Sequence, residues 1–108
     1  MLLTPFIALL LTPLSIQGQE AKQLYEETCA LCHGVSGKGD GPSGQFLQPK
    51  PADFSTVLQG KDDAYMAKVI NEGGAGVGKS SIMPAYKGAL SNDQIQGLVQ
   101  YLKGFLSP

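Results

Sequence analysis

The chain has 108 residues, with 8 lysines, no arginine and 9 acidic side chains, for a net charge of −1. That length allows one domain at most, and a near-neutral surface without guanidinium groups excludes a nucleic-acid binder that grips phosphates. All seventeen charged side chains follow residue 19, so the chain divides into an uncharged apolar start and an ordinary polar remainder.

Met1 to Ile16 carries Leu2, Leu3, Phe6, Ile7, Leu9, Leu10 and Leu11. The run is of signal-peptide length and too short to span a bilayer comfortably; Pro5 and Pro13 weaken it further as a helix. Residues 1–18 are read as an export leader cut after Gly18, and residues 19–108 as the mature domain. The basic residues that usually precede such a run are missing, so an uncleaved anchor is the alternative, and only in that case is a membrane a partner.

Ala21, Leu24, Tyr25 and Thr28 recur at helical spacing, with charged and amide residues on the other face, and predict a short helix leading into the cysteines. Gly34 to Gly44 has no hydrophobic period and five glycines, so it reads as a loop. The prolines at 49 and 51 extend it. A second helix opens at Asp62 and Asp63, whose carboxylates suit an N-terminal dipole, carries Tyr65, Met66, Val69 and Ile70 on one face, and stops at Gly73 and Gly74. Residues 73–86 are again irregular. Ser91 followed by Gln94 has the capping-box pattern, and Ile95, Leu98, Val99, Leu102, Phe105 and Leu106 then form the apolar stripe of an amphipathic helix of about three turns. No alternating strand pattern is present, so the fold class expected is all-α: three or more short helices with long loops.

Cys29, Cys32 and His33 are all the cysteines and the only histidine of the chain. Two thiols separated by two residues and followed at once by an imidazole make the pattern of c-type haem attachment, in which both sulfurs form thioethers and the histidine binds the iron. A covalently held macrocycle would also supply the core that about 90 residues struggle to build alone. A sixth iron ligand must then come from elsewhere. Met1 falls in the leader and Met66 at a core position, whereas Met83 stands in a turn-rich segment before Pro84, so Met83 is the candidate.

Gly73 to Ser80 also satisfies the spacing of a phosphate-binding P-loop. Its mechanism needs a strand before the loop and a helix starting at Lys79 and Ser80; the run before it reads as helix, and Pro84 follows too soon, so no nucleotide is expected. A dithiol redox pair lacks the alternating strands of its fold, and a structural zinc lacks a fourth good ligand.

On the residues Cys29 to Gly34, the glycine-rich loop that follows, Pro49 to Phe54, and Ile82 to Tyr86 ahead of a terminal amphipathic helix, the chain resembles the small monohaem class I cytochromes c of bacteria. The resemblance covers the whole region after the leader. It implies an all-α cytochrome c fold wrapped around one covalent haem c with its iron, held by Cys29 and Cys32 and ligated by His33 and Met83. It further implies first and last helices that cross, here through Tyr25 and Gly97 or Tyr101. A proline carbonyl should accept the hydrogen bond of the ligand histidine's Nδ1; Pro42 is the candidate, with Pro49 and Pro51 as substitutes.

The function expected is that of a non-enzymatic one-electron carrier of a respiratory chain in the periplasm or an equivalent exported compartment. A donor and an acceptor protein would dock at the exposed haem edge, with Lys38, Lys79 and Lys87 steering them. A haem enzyme or gas sensor with an open sixth position, or a cytochrome subunit of a larger oxidoreductase complex, is the alternative. The lack of a second histidine or an arginine to assist peroxide cleavage weighs against catalysis.

Overall fold

The computed structural model describes residues 13–106; residues 1–12 of the expected leader lie outside the described residues. Five helices follow in order: α1 (Pro13–Thr28), α2 (Ala30–His33), α3 (Phe54–Val57), α4 (Asp63–Glu72) and α5 (Asn92–Lys103). Single 3₁₀ turns occupy Gly44–Phe46, Ala75–Val77 and Gly104–Leu106. No strand occurs among the described residues, in agreement with the all-α expectation. Helix α1 starts earlier than the periodicity from Ala21 suggests, inside the expected leader, at a proline whose fixed φ suits the first helical position.

The core is the meeting of α1, α4 and α5. On α5, Ile95, Leu98, Val99 and Leu102 fall at i, i+3, i+4 and i+7 and are all buried, so one stripe of the helix leaves water. Full burial of each such side chain contributes about 1.5–3 kcal/mol. Tyr25 and Ala21 of α1 face that stripe and are buried as well. Gly97 faces Ala21 at the crossing: a Cβ placed there would sit 3.6 Å from that of Ala21, an ordinary contact. One and a bit turns on, the rings of Tyr25 and Tyr101 lie 5.0 Å apart. The crossing therefore uses both of the residues expected of it on α5.

The helix starts are set by side chains as anticipated. Asp62 accepts from the Tyr65 backbone N–H at 2.8 Å to begin α4. Ser91 and Gln94 exchange the reciprocal bonds of a capping box at 3.1 and 2.8 Å to begin α5. Across the α4–α5 contact the Asp63 carboxylate meets Lys103 Nζ and Gln100 Nε2, each at 3.1 Å. Helix α3 was not anticipated: Asp53 accepts from the N–H and the hydroxyl of Ser55, which turns a single helical turn out of what the sequence presents as loop.

Candidate functional site

Cys29 interrupts the helix with a φ of −109°, but its carbonyl still accepts from the N–H groups of Cys32 and His33 at 3.2 and 2.9 Å. Both thiols and the imidazole therefore ride on one helical turn at the end of α1, which fixes their relative directions through the backbone. Tyr25, one turn earlier, donates its hydroxyl to the Gly34 carbonyl at 2.6 Å and so ties the residue after His33 back to α1.

The three side chains border a cavity of about 440 Å³, within the range of sites that hold cofactor-sized ligands. Its lining is mainly apolar, from Leu47, Pro51, Val69, Ile70 and Leu98 among others. Met83 lines the same cavity, brought there by the loop between α4 and α5. Met66 also reaches it, but is 2 % exposed and packed within the core, as a space-filling residue should be. Residues far apart in sequence thus converge on one apolar space.

Burial lowers the pKa of His33 below the ordinary imidazole value, with the Ala52 carbonyl opposing that shift. A neutral ring with a free lone pair is what metal ligation requires. Burial, with the neighbouring Cys32, pushes the Cys29 thiol up to about 11, so it rests as the thiol. Both cysteines are free and not joined to each other. Two unpaired thiols, a neutral imidazole and a thioether around an apolar space of this size form a donor set that fits a covalently held porphyrin. They fit a zinc ion poorly, and no cluster of three or more histidine, cysteine or acidic side chains able to hold a metal occurs among the described residues.

The structure corrects the sequence reading of the His33 partner. Nδ1 lies 3.4 Å from the Ala52 carbonyl, not that of Pro42, whose carbonyl accepts from Gln45 Nε2 at 3.3 Å. The reason is the path of the loop. Gly41 N–H and Ser43 N–H bond to the carbonyls of Cys32 and Leu31, which holds Pro42 beside the backbone of α2, and the stretch at 51–54 then returns over the imidazole. Phe54 N–H donates to the Gly37 carbonyl at 2.8 Å, and the Phe54 ring stacks on His33 with centroids 4.5 Å apart at 26°. Gly37 has φ +70°, and a Cβ there would lie 2.7 Å from the Phe54 ring, so only glycine lets the loop close. Sequence reasoning missed Ala52, Phe54 and the Tyr25 hydroxyl. The usable signal was Asp53 two residues before Ser55, which marks a helical turn and hence the direction of Phe54.

The P-loop pattern at 73–80 forms no phosphate cradle. The N–H groups of Gly74, Val77, Gly78 and Lys79 are already donated to carbonyls within residues 74–83. Lys38, Lys79 and Lys87 are exposed, as are Leu31, Val35, Phe46 and Ile82. No helix among the described residues is long and apolar enough to cross a membrane.

The family described as cytochrome c oxidase, cbb3-type, subunit III, matches residues 17–102. A cbb3-type cytochrome c oxidase subunit CcoP of Azospirillum brasilense is 32% identical over 78% of this chain and 27% of its own length. The subunit FixP of Bradyrhizobium diazoefficiens is 32% identical over 77% of this chain and 26% of its own. A cytochrome c6 of Leptolyngbya boryana is 35% identical over 74% of this chain and 82% of its own length. The chain thus spans about a quarter of the length of the oxidase subunits and corresponds to most of the small cytochrome. A matching family over nearly all the described residues, an all-α fold and a haem-sized apolar cavity agree: the chain belongs to the cbb3-type cytochrome c oxidase subunit III family, as an electron-transfer c-type cytochrome with one covalently bound haem c and its iron.

Proposed function

We propose that the chain passes single electrons between a donor and an acceptor protein of a respiratory chain, where Cys29 and Cys32 would hold the haem as thioethers and His33 and Met83 would ligate its iron. The observation that carries this reading is that all four side chains border one apolar cavity. The bound haem supplies a one-electron couple. What the polypeptide adds is rigidity and exclusion of water. The Ala52 carbonyl and the Phe54 ring fix the His33 imidazole in angle and tautomer, with Nδ1–H donating to Ala52 and leaving Nε2 for iron. The apolar wall keeps solvent from the site, and a soft thioether from Met83 favours the reduced metal over what a second imidazole would give.

Partners dock where the haem edge meets the surface beside the cysteine turn, with Lys38, Lys79 and Lys87 providing steering. Export places that surface outside the cytoplasm, with cleavage after Gly18 leaving residues 19–108. The relatives named as oxidase subunits favour a second form of the same reading, in which this domain passes electrons as one part of a larger oxidase complex.

The test is the absorption spectrum and intact mass of the protein exported from a host competent in haem attachment. The expected result is a polypeptide from Gln19 plus one haem, low-spin and six-coordinate. Met83→Ala should make the iron high-spin and open to carbon monoxide. A wild-type protein that binds carbon monoxide readily would refute the Met83 assignment, and a colourless folded product would refute the haem assignment.

A further inference from the structure

The glycine-rich run that follows α4 is left without a role once phosphate binding is set aside. One of its hydrogen bonds leads to the segment that carries Met83, and the others close turns within the run or reach back to α4. Gly74 N–H donates to the Met83 carbonyl at 3.1 Å, while the Gly74 carbonyl accepts from Lys79 N–H at 2.8 Å and Val77 N–H at 3.2 Å. Downstream of Met83, Tyr86 N–H and Lys87 N–H donate at 2.9 and 3.1 Å to the carbonyls of Ile70 and Asn71, in the last turn of α4. Carbonyls at a helix end need such partners. The Met83 segment is therefore strapped on both sides to the C-terminus of α4.

Sterics close the same clamp. Gly73 has φ +73° and ψ −177°, a region open essentially to glycine alone, and a Cβ on it would lie 2.7 Å from the Met83 carbonyl oxygen and 2.9 Å from Ala85 N. Gly74 has an ordinary φ of −60°, so backbone strain does not demand glycine there. Space does: a Cβ would overlap the Ser80 carbonyl oxygen and sit 3.5 Å from Met83 Cβ. Both glycines occur where the backbone of the Met83 loop lies against the helix end.

We propose that Gly73 and Gly74 are positioning residues for the sixth ligand: the loop that looks like a phosphate cradle is a backbone clamp that sets how far Met83 reaches into the cavity. The inference rests on the Met83 assignment made above. Without Met83 as ligand the clamp would be a packing feature only.

The experiment compares the haem-loaded wild type with Gly74→Ala, Met83→Ala and Gly104→Ala. Gly104 also has an ordinary φ, and a Cβ there meets open space, so it controls for loss of a glycine. The readouts are the thioether-to-iron charge-transfer band and carbon monoxide affinity, beside a thermal melt. Gly74→Ala is expected to melt cooperatively, to lose much of the band and to bind carbon monoxide about tenfold more tightly, the factor that about 1.4 kcal/mol of overpacking transmitted to the ligand bond would give. Gly104→Ala should match wild type. If Met83→Ala abolishes the band while Gly74→Ala keeps it with wild-type carbon monoxide affinity, the clamp is refuted and the ligand assignment stands. If Met83→Ala leaves the band intact, the ligand assignment itself fails. Should Gly74→Ala not fold, amide hydrogen exchange on the wild type decides: protection of the Gly74, Tyr86 and Lys87 amides comparable to that of α4 supports the clamp, and free-loop exchange rates overturn it.

Discussion

Removing one oxygen atom, in Tyr25→Phe, tests whether the turn from Cys29 to Gly34 is held from behind by α1. The Tyr25 hydroxyl donates to the Gly34 carbonyl at 2.6 Å in a fully buried position. The phenylalanine ring keeps the apolar contacts with Tyr101 and Phe105, whose centroids lie 5.0 and 5.4 Å away, so packing should be nearly unchanged. The Gly34 carbonyl keeps a second partner, Gly37 N–H at 3.1 Å, and is not left wholly unpaired. The loss should therefore fall near the middle of the range for a single hydrogen bond, about 1 kcal/mol, and not at the 1–3 kcal/mol of an orphaned buried acceptor. For a domain of this length that corresponds to a fall in Tm of about 4–8 °C. Burial raises the Tyr25 pKa far above its usual value, so the bond persists across the neutral and mildly alkaline range and the difference between the two proteins should not depend on pH there. The assay is thermal melting of both haem-loaded proteins, with the absorption spectrum as a check that ligation is unaltered. An unchanged or raised Tm would refute the claim that this hydroxyl anchors the motif.

Three further outcomes follow from individual contacts. Ser91→Ala breaks the capping box and should cost about 1 kcal/mol, read as a lower denaturant midpoint with an unchanged slope. Pro42→Ala should leave the reduction potential and the His33 ring proton shifts at wild-type values, because the Pro42 carbonyl faces Gln45 and not the imidazole; a clear shift in either would restore Pro42 to the ligand's hydrogen bond. Hydrogen bonds from Lys103 and Gln100 hold the Asp63 carboxyl below its ordinary 3.8. Its contribution is therefore fully present above pH 3.8 and disappears as the pH falls through the lower folded value. Asp63→Asn should accordingly be less stable than wild type at neutral pH, with the gap closing in acid and shrinking in high salt; a gap that persists unchanged in acid would refute the assignment.

The helices and the shared turn of Cys29, Cys32 and His33 were legible because local chemistry determines them. Ser91 with Gln94, Asp62, and the stripe from Ile95 to Leu102 state their structure within a few residues, and the triad depends only on spacing along one turn. The partner of His33 was not legible, since Pro42, Pro49, Pro51 and Ala52 offer the same backbone carbonyl and only the return path of the loop selects among them. That path is set by nonlocal contacts: Gly41 and Ser43 bonding to α2, and Phe54 bonding to Gly37. Helix α3 was hidden for a related reason, because one turn has no periodicity to read and shows itself only through the cap at Asp53.

The two glycine-rich loops separate what a motif says from what its context makes of it. Residues 73–80 match a phosphate-binding pattern because glycines there, as in a P-loop, permit close backbone approach. Close approach has no chemistry of its own. In a P-loop the N–H groups are aimed outward from a strand toward an anion; here they follow a helix end and are consumed by the chain's own carbonyls, Met83 among them. Residues 34–44 use the same freedom to fold over the cysteine turn and bring Phe54 onto His33. Residues 34–44 thus position Phe54, and residues 73–80 Met83, at one apolar cavity from different sides of the sequence. The two long loops are thus held by hydrogen bonds to a helix end or to the cysteine turn, and each fixes a cavity-lining side chain that lies beyond its own span, Phe54 for one and Met83 for the other.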